Sequence, residues 1–437
     1  MKKWFICLGL NCLILSSSAQ ERWSLQKCID YARNINTEIL NKEYDIEISE
    51  ITLKSKRRQS LPILNSYINT ASTFGQGQDV FGNTQRNDNL NSSFGLSAEF
   101  AINTFGKNNN EIKNAEINVA ISQKDKEISI LRTNESIILG YLNVVLKKEM
   151  VKLYSIHLEK LRIEHNNLKI GVKYGKYPNS VELESYADLL AREAEFEQSK
   201  TEVEIGRLEL GKILQLGPKS HIDVEDIQLS DVDLSFITEE SEISIMDKIR
   251  LHPSIDRYDF MIKSLEYQNK ITRSQLYPTI SVGGTLGTMF YNSFVFQSPL
   301  VGDQLRNNLY QQAFLRISIP IYNKGSVKHT LSQNVLFRKQ LLNNLEAETS
   351  QKKNQLRSFI ITWRSNYNKY KANLNICTAM KEALKNVELN FESGKVTYSE
   401  LQNVRSRYLS SQLEKVKSIY NCYFYKCLIN NLVIFSI

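Results

Sequence analysis

The sequence predicts a mainly α-helical protein with a membrane β-barrel segment, and three patterns carry this prediction. One segment occurs twice, each copy leads into residues that alternate between apolar and polar, and each half contains a long stretch without proline. The 437 residues include only 7 prolines and 18 glycines, which favours long uninterrupted helices. A hydrophobic content of 42% with 23% charged residues is ordinary for a folded protein.

The repeated segment relates the two halves of the chain. Residues 255–278 align with residues 39–62 without a gap and are identical at seven of the 24 positions. A repeat of this length sets the architecture of the whole chain, so we expect two similar halves. The predicted divisions are a leader (1–19), a first repeat (20–216), a linker (217–242) and a second repeat (243–437).

The N-terminal segment is predicted to be a signal peptide. Lys2 and Lys3 precede an apolar core, and the small residues Ser17, Ser18 and Ala19 form a cleavage site. We therefore expect the mature chain to be exported. The net charge of +8 is not gathered into a dense basic block, which argues against a nucleic-acid partner. The cysteines beyond the leader are too scattered for a metal site or a disulfide framework.

Each copy of the repeat is predicted to be helical. The first helical segment, 25–61, is interrupted near residues 34–36, and the second, 243–277, is interrupted at His252 and Pro253. Proline lacks a backbone donor and disfavours helical geometry in the residue before it. We therefore expect His252 to lie at a helix break.

Two strands are predicted in each half, because apolar and polar residues alternate with period two. Strands of this length joined by one long polar loop are typical of a membrane β-hairpin, although the alternation also fits a half-buried sheet of a soluble domain. The four segments are 62–74, 90–102, 280–290 and 309–321, with polar loops at 75–89 and 297–308. The residues predicted to face lipid are Phe94, Leu96, Ile280, Leu286, Leu315 and Ile317.

One very long helix follows the strands in each half, at 107–174 and 325–392, because neither stretch contains proline and apolar residues recur at coiled-coil spacing. At about 1.5 Å per residue, each helix would be roughly 100 Å long. Gly175 and Gly394 are predicted C-caps of these helices. Ser180 and Ser399 are predicted to cap the helices that return from the two turns.

An exported chain with this order of elements in two halves resembles the TolC-like outer-membrane efflux family. The residues that carry the resemblance are Pro62 and Pro278 before the strands, the Pro-Ile-Tyr-Asn-Lys-Gly exit at 320–325, and the two glycine turns. The first half departs from this pattern, because its exit at 103–106 lacks proline. The resemblance covers nearly all of the mature chain.

The resemblance implies an outer-membrane channel with a periplasmic extension, serving a tripartite efflux or secretion system for small molecules or proteins. Four strands cannot close a barrel, and an open strand edge cannot face lipid, so several chains must share one barrel. Three copies give twelve strands, the trimeric barrel that the resemblance implies, with long helical hairpins forming a periplasmic tube. The implied partners are a homotrimer, outer-membrane lipid, a periplasmic adaptor (membrane fusion) protein and an inner-membrane pump of the RND or ABC type.

The two glycine turns are expected to form the periplasmic tip, where the resemblance places adaptor binding and the gate. Relatives close the tip with tyrosine and arginine facing aspartate, but this chain has phenylalanine and valine at the first two positions. Ion pairs between the lysines and glutamates of the turns are the candidate replacements, although these residues would equally serve as helix caps. The tip residues are Gly175, Lys176, Ser180, Glu182, Phe391, Gly394, Lys395, Thr397, Ser399, Glu400 and Leu401.

The sequence contains no motif for nucleotide binding, metalloprotease chemistry or a catalytic nucleophile. We therefore expect a passive conduit that depends on its partners for energy, with no enzymatic activity, metal or cofactor. The alternative is a periplasmic or surface helical scaffold without channel activity. The predicted strand hairpins argue against that alternative, because a scaffold of helices has no use for them.

Overall fold

The computed structural model describes residues 22–78, 81–217, 222–227 and 239–433. The predicted signal peptide and part of the predicted linker lie outside these residues. The helices are α1 (Leu25–Ile35), α2 (Thr37–Arg58), α3 (Lys107–Lys173), α4 (Asn179–Ile213), α5 (Glu239–Lys248), α6 (Pro253–Ser274), α7 (Val301–Asn307), α8 (Ser326–Glu392) and α9 (Tyr398–Val433). The strands are β1 (Arg22–Trp23), β2 (Ile63–Thr73), β3 (Gln76–Gln78), β4 (Thr84–Arg86), β5 (Asn89–Asn103), β6 (Asp223–Val224), β7 (Thr279–Ser293) and β8 (Tyr310–Ser318).

The predicted order of long helices and strands is confirmed. Helices α3 and α8 are each 67 residues long. The first break lies at Asn36, whose side-chain Oδ1 accepts hydrogen bonds from the N–H groups of Glu38 (3.0 Å) and Ile39 (3.3 Å). The break is therefore a capped junction that starts α2. The two polar loops contain more structure than the sequence indicated, since one holds the β3–β4 hairpin and the other holds α7.

The chain folds into two units, and each unit takes segments from both predicted repeats. Unit 1 comprises the described residues of Met1–Leu40, Ser129–His252 and Gln351–Ile437. Unit 2 comprises the described residues of Asn41–Ile128 and Pro253–Ser350. The helices of the described part of the chain are all too polar or too short to span a bilayer.

Unit 1 is held together by an apolar core between helical segments. Ile29, Ile137, Tyr141, Leu210 and Tyr420 are among its fully buried members. Each such side chain contributes about 1.5–3 kcal/mol through burial. The two-residue strands β1 and β6 pair in parallel beside this core. The free cysteines are also buried, at Cys28, Cys377, Cys422 and Cys427.

Unit 2 contains a four-stranded antiparallel sheet in the order β2–β5–β7–β8. Its central pair, β5 with β7, joins strands from the two repeats in a nearly continuous register with one irregularity between Ala101 and Asn103. Among the residues that the structure describes, the outer strands β2 and β8 each pair on one side only. The helices of this unit meet through polar contacts such as Ser49 with Ser122 (2.8 Å) and Asn269 with Asn334 (2.8 Å).

His252 lies at the second helix break, as predicted, between the 3-10 turn Ile249–Leu251 and α6. Its backbone N–H donates to the carbonyl oxygen of Ile249 at 3.0 Å. Burial, with a smaller contribution from the charge of Lys352, lowers the pKa of His252 from 6.5 to about 4. The imidazole is therefore neutral in the folded protein at neutral and mildly acidic pH.

We predict that acidification weakens unit 1 partly through His252. The unfolded chain binds a proton near pH 6.5, whereas the folded chain binds it only near pH 4. The stability from the neutral imidazole is thus complete above pH 6.5 and is lost as the pH falls toward 4, by about 3 kcal/mol in all. Thermal unfolding between pH 7.5 and pH 4.5 should show a smaller fall in Tm for His252→Asn than for wild type. Parallel falls in the two proteins would contradict this prediction.

Candidate functional site

Each long helix ends in a glycine turn with the hydrogen bonds of a Schellman motif. In the first turn, the N–H of Gly175 donates to Val172 O (2.9 Å) and the N–H of Lys176 donates to Gly171 O (2.8 Å). The second turn, at Gly394, has the same pair of bonds at 3.0 and 2.9 Å. The φ angles of Gly175 and Gly394 are +74° and +70°, in the left-handed region that side chains with a Cβ avoid. Both predicted C-caps are therefore confirmed.

The returning helices are capped differently from the prediction. Thr397 caps α9, since its Oγ1 accepts from the Glu400 N–H (3.3 Å) while its own N–H donates to Glu400 Oε2 (3.2 Å). This reciprocal capping box leaves Ser399 inside the helix, so the prediction for Ser399 was wrong. The prediction for Ser180 was also wrong, because α4 begins before it, after Pro178, and has no side-chain cap. The N-cap position is held by Pro178, whose backbone is extended (φ −67°, ψ 154°).

An apolar cluster joins the two turns, and we call it the tip cluster. The ring of Phe391 stacks on Tyr177 of the first turn (centroids 5.5 Å apart, interplanar angle 4°). It also meets Tyr398 edge-on at 5.9 Å. Such aromatic pairs add about 0.5–1.5 kcal/mol each beyond the area that they bury. The members of the tip cluster are Leu168, Tyr177, Val181, Leu384, Val387, Phe391, Val396, Tyr398 and Leu401.

The tip residues predicted from the sequence divide into interior and surface positions. Phe391 and Leu401 are only 8% and 2% exposed and belong to the tip cluster. They therefore hold the turns together, and a partner could reach them only by displacing other side chains. Glu182 is half-buried. The exposed positions are Gly175, Lys176, Ser180, Gly394, Lys395, Thr397, Ser399 and Glu400.

The ion pairs suggested for closing the tip do not form within one chain, as far as the described residues show. The ammonium group of Lys176 lies 5.0 Å from the centroid of the Tyr177 ring, a cation–π contact that holds it on its own turn. Glu400 accepts the capping hydrogen bond from Thr397.

A half-buried polar layer connects the first helical hairpin, α3 with α4, to α9 of the second. The carboxylate of Glu164 on α3 pairs with Arg405 on α9 at 2.5 Å, and Arg192 on α4 donates to Ser406 Oγ on α9 at 2.8 Å. Burial raises the pKa of the Glu164 carboxyl, and the Arg405 guanidinium opposes this shift only in part. Removing one partner would leave the other charge half-buried without its counter-charge, which destabilises the contact between α3 and α9.

Sequence reasoning missed this polar layer. The sequence pattern that could have predicted it is the occurrence of hydrogen-bonding side chains, such as His165 in α3, within a stripe of apolar residues. In the structure, His165 Nδ1 lies 2.7 Å from Ser185 Oγ, and His157 Nε2 lies 2.5 Å from Gln412 Oε1. Both histidines are thus packed residues with single polar partners. Among the described residues, no group of His, Cys, Asp and Glu could hold a metal ion.

The strand register places all six residues predicted to face lipid on one face of the sheet. Leu96 lies opposite Leu286, and Ile280 lies opposite Ile317. Directly opposed residues share a face, and so do alternate residues of one strand, which adds Phe94 and Leu315 to the same set. Leu96, Leu286, Leu315 and Ile317 are exposed in a single chain. Their contact with lipid stays a prediction.

The opposite face of the sheet is more polar. Glu99 accepts a hydrogen bond from Ser281 Oγ (2.9 Å), and Arg316 approaches the same carboxylate oxygen at 3.4 Å. Arg316 also lies over the ring of Phe314, with 5.3 Å to its centroid. The sheet therefore has one exposed apolar face and one face on which charges are paired.

By sequence, the chain matches no protein-family model and no curated protein. By structure, it resembles CusC, with a TM-score of 0.79 at 13% identity over 94% of this chain and 91% of that chain. It also resembles the Vibrio cholerae outer membrane protein VceC, with a TM-score of 0.77 at 12% identity over 94% of this chain and 95% of that chain. For the open state of the Neisseria gonorrhoeae outer membrane channel MtrE, the TM-score is 0.74 at 17% identity over 94% of this chain and 88% of that chain. The fold that the TolC-like resemblance implied is therefore confirmed.

We predict that alanine at Gly394 destabilises the tip through backbone strain alone. A Cβ at this position would meet no atom within 4 Å, but the positive φ costs a side chain about 1–2 kcal/mol. Gly211 in α4 is the matched control, because its Cβ would also meet open space but its backbone is helical. Gly211→Ala should stabilise by about 0.5–1 kcal/mol. Thermal unfolding and amide exchange at the turn measure both changes, and effects of the same sign would contradict the prediction.

Proposed function

We propose that this chain is the protomer of an outer-membrane export channel, a passive conduit through which small molecules or proteins leave the cell. The observation that carries the proposal is the four-stranded sheet of unit 2, with two unpaired edges, one exposed apolar face and one polar face. Backbone groups at an open edge lose several kcal/mol each when they face lipid without partners. Such a sheet can enter a membrane only as part of a larger closed one.

Copies of the chain supply the missing partners. Neighbouring strands in the sheet are antiparallel throughout, so β2 and β8 run in opposite directions. The β8 edge of one protomer can therefore continue into the β2 edge of the next with the same antiparallel pairing. Three copies give the twelve-stranded barrel of the proposal, in keeping with the channel fold. The apolar face then meets outer-membrane lipid, and the polar face lines the lumen.

The helical hairpins form the periplasmic extension in this proposal. The tip cluster holds the two turns, and the exposed Lys176 and Lys395 offer polar contacts to a periplasmic adaptor. Energy comes from an inner-membrane pump of the RND or ABC type, because a conduit has no energy source of its own. The predicted signal peptide supports export of the chain to this location. Within this scheme the gate lies at the tip and closes through contacts between protomers.

A paired substitution on β5 tests the channel. Leu96→Arg puts a charge on the apolar face, which costs about 2–4 kcal/mol in the middle of a membrane. Ser97→Arg, on the next residue, puts the same charge on the polar face. Purified wild type should form trimers with a fixed unit conductance in planar lipid bilayers. Leu96→Arg should lower trimer yield, whereas Ser97→Arg should assemble and alter ion selectivity.

Three results would count against the channel. Absence of trimers in wild type would remove the shared barrel. Stable trimers without conductance would favour the alternative of a helical scaffold. Equal assembly of the Leu96→Arg protein and wild type would show that the apolar face does not meet lipid.

Adaptor binding at the tip is tested by reversing the charge of a side chain that does not pack in the tip cluster. Lys395 is exposed and lies outside the tip cluster, so Lys395→Glu should leave the assembled trimer intact. Cross-linking to the adaptor and export in cells should fall roughly tenfold, equivalent to about 1.4 kcal/mol of binding free energy. The control is Lys381→Glu, which makes the same charge change at an exposed site within α8. Undiminished cross-linking and export in Lys395→Glu would exclude this part of the tip from the contact.

A further inference from the structure

One row of residues on the polar face ties the two outer strands of the sheet together. The register aligns Tyr67 of β2 with Gly95 of β5, Gly95 with Gly287 of β7, and Gly287 with Tyr310 of β8. The hydroxyl oxygens of Tyr67 and Tyr310 lie 2.9 Å apart, within hydrogen-bond distance. This side-chain contact therefore spans the full width of the four-stranded sheet.

The two glycines in the row make space for the tyrosine rings. A Cβ at Gly95 would lie 2.5 Å from Tyr67 Oη and 2.6 Å from its Cζ. A Cβ at Gly287 would lie 2.8 Å from Tyr310 Oη, 2.9 Å from its Cζ and 3.0 Å from the backbone carbonyl oxygen of Phe94. Neither glycine has a positive φ, so the backbone does not require glycine at these sites. Glycine weakens a strand interior. The close approach of the Tyr67 ring accounts for glycine at position 95, and the Tyr310 ring together with the Phe94 carbonyl oxygen accounts for it at position 287.

The exposure of the outer strands agrees with rings that lie flat on the sheet. Tyr67 is half-buried, whereas all other residues of β2 are exposed. In β8, Tyr310 and Phe314 are the half-buried residues. Phe314 covers Gly283 of β7 in the same way, because a Cβ at Gly283 would clash with its ring. Aromatic side chains that cross glycines thus recur on the polar face.

The Tyr67–Tyr310 contact limits how far the outer strands can separate on the polar side. Neighbouring strands lie about 4.8 Å apart. If a curved four-stranded sheet is flattened, side chains of its two outer strands that meet on the concave face move away from each other. A hydrogen bond is lost once its two heavy atoms are more than about 3.5 Å apart. Flattening the sheet would therefore break the hydrogen bond between Tyr67 and Tyr310, and this bond resists the flattening. A sheet that supplies a third of a closed barrel must stay curved toward the lumen.

We propose that Tyr67, Gly95, Gly287 and Tyr310 form a tyrosine clasp, which keeps the sheet of each protomer curved before assembly. The clasp presents the β2 and β8 edges at the angle at which three copies close into one barrel. This inference rests on the proposed function, because curvature matters only if the sheet joins others. Tyr67 and Tyr310 are positioning residues for assembly, distinct from the lipid-facing residues on the opposite side of the sheet.

Assembly kinetics test the clasp. Wild type and variants are unfolded in urea and diluted into phospholipid vesicles, and trimer formation is followed by resistance to dodecyl sulfate on gels. Gly95→Ala and Gly287→Ala insert a methyl group beneath each ring and should slow trimer formation at least tenfold. Tyr67→Phe and Tyr310→Phe keep the rings and should slow it two- to fivefold. The control Gly284→Ala, in β7 but on the apolar face, meets only Gln312 O at 3.3 Å and should assemble at the wild-type rate.

Two double variants separate the clasp from a general weakening of the sheet. Tyr67→Phe with Tyr310→Phe should assemble no more slowly than either single variant, because both remove the same contact. In a Tyr67→Ala background, Gly95→Ala should have no further effect, because the ring that it displaces is gone. Additive effects in both pairs would overturn the clasp.

The outcome for wild type distinguishes the clasp from the proposed function. Conducting wild-type trimers, with all four clasp variants assembling at the wild-type rate, would overturn the clasp and leave the channel standing. Failure of wild type to form trimers would overturn the proposed function and the clasp with it. The phenylalanine variants keep each ring in place, so the clasp remains testable even if an alanine variant fails to fold.

Discussion

The free hydrogen-bonding edges of the four-stranded sheet are the constraint on which the rest of the molecule depends. Strands β2 and β8 are 11 and 9 residues long, and within the described part of the chain each has one side without a strand partner. Four strands are too few to satisfy these groups by closing on themselves, whatever the side chains do. The apolar face, the paired charges on the polar face and the glycine–tyrosine row all gain a purpose once other copies cover the edges.

In unit 1, the residues of the two glycine turns are divided between an apolar interior and a charged surface. Buried aromatic residues fix the two turns against each other, and the charged residues stay on the surface. Above the tip cluster, paired charges such as Glu164 with Arg405 lie where apolar residues would otherwise sit. Such pairs add little net stability, but they disfavour misaligned packing, in which a charge would be buried alone.

The sequence predicted those features that depend on local chemistry. Proline-free stretches, period-two alternation and the glycines at 175 and 394 each act through neighbouring residues, and each appears in the structure. The missed features depend on residues far apart in the chain. Tyr67 and Tyr310 are 243 positions apart, and only the strand register brings them together. Phe391 and Leu401 were predicted as tip residues without a depth, and only the packing shows that they are interior.

The pairing of β5 with β7 means that folding and the proposed assembly would use the same kind of hydrogen bond between strands. This pair joins the two repeats inside a chain by the same antiparallel hydrogen bonding that would join β8 to β2 between chains. The strand contacts between the repeats therefore do not require that the repeats be covalently linked. A ring of six half-chains would have the same strand contacts as a ring of three whole chains. Joining the halves in one chain lowers the entropic cost of assembly, because three molecules associate instead of six. It also lets the two halves acquire different side chains, as Thr397 and Pro178 have done at their helix starts.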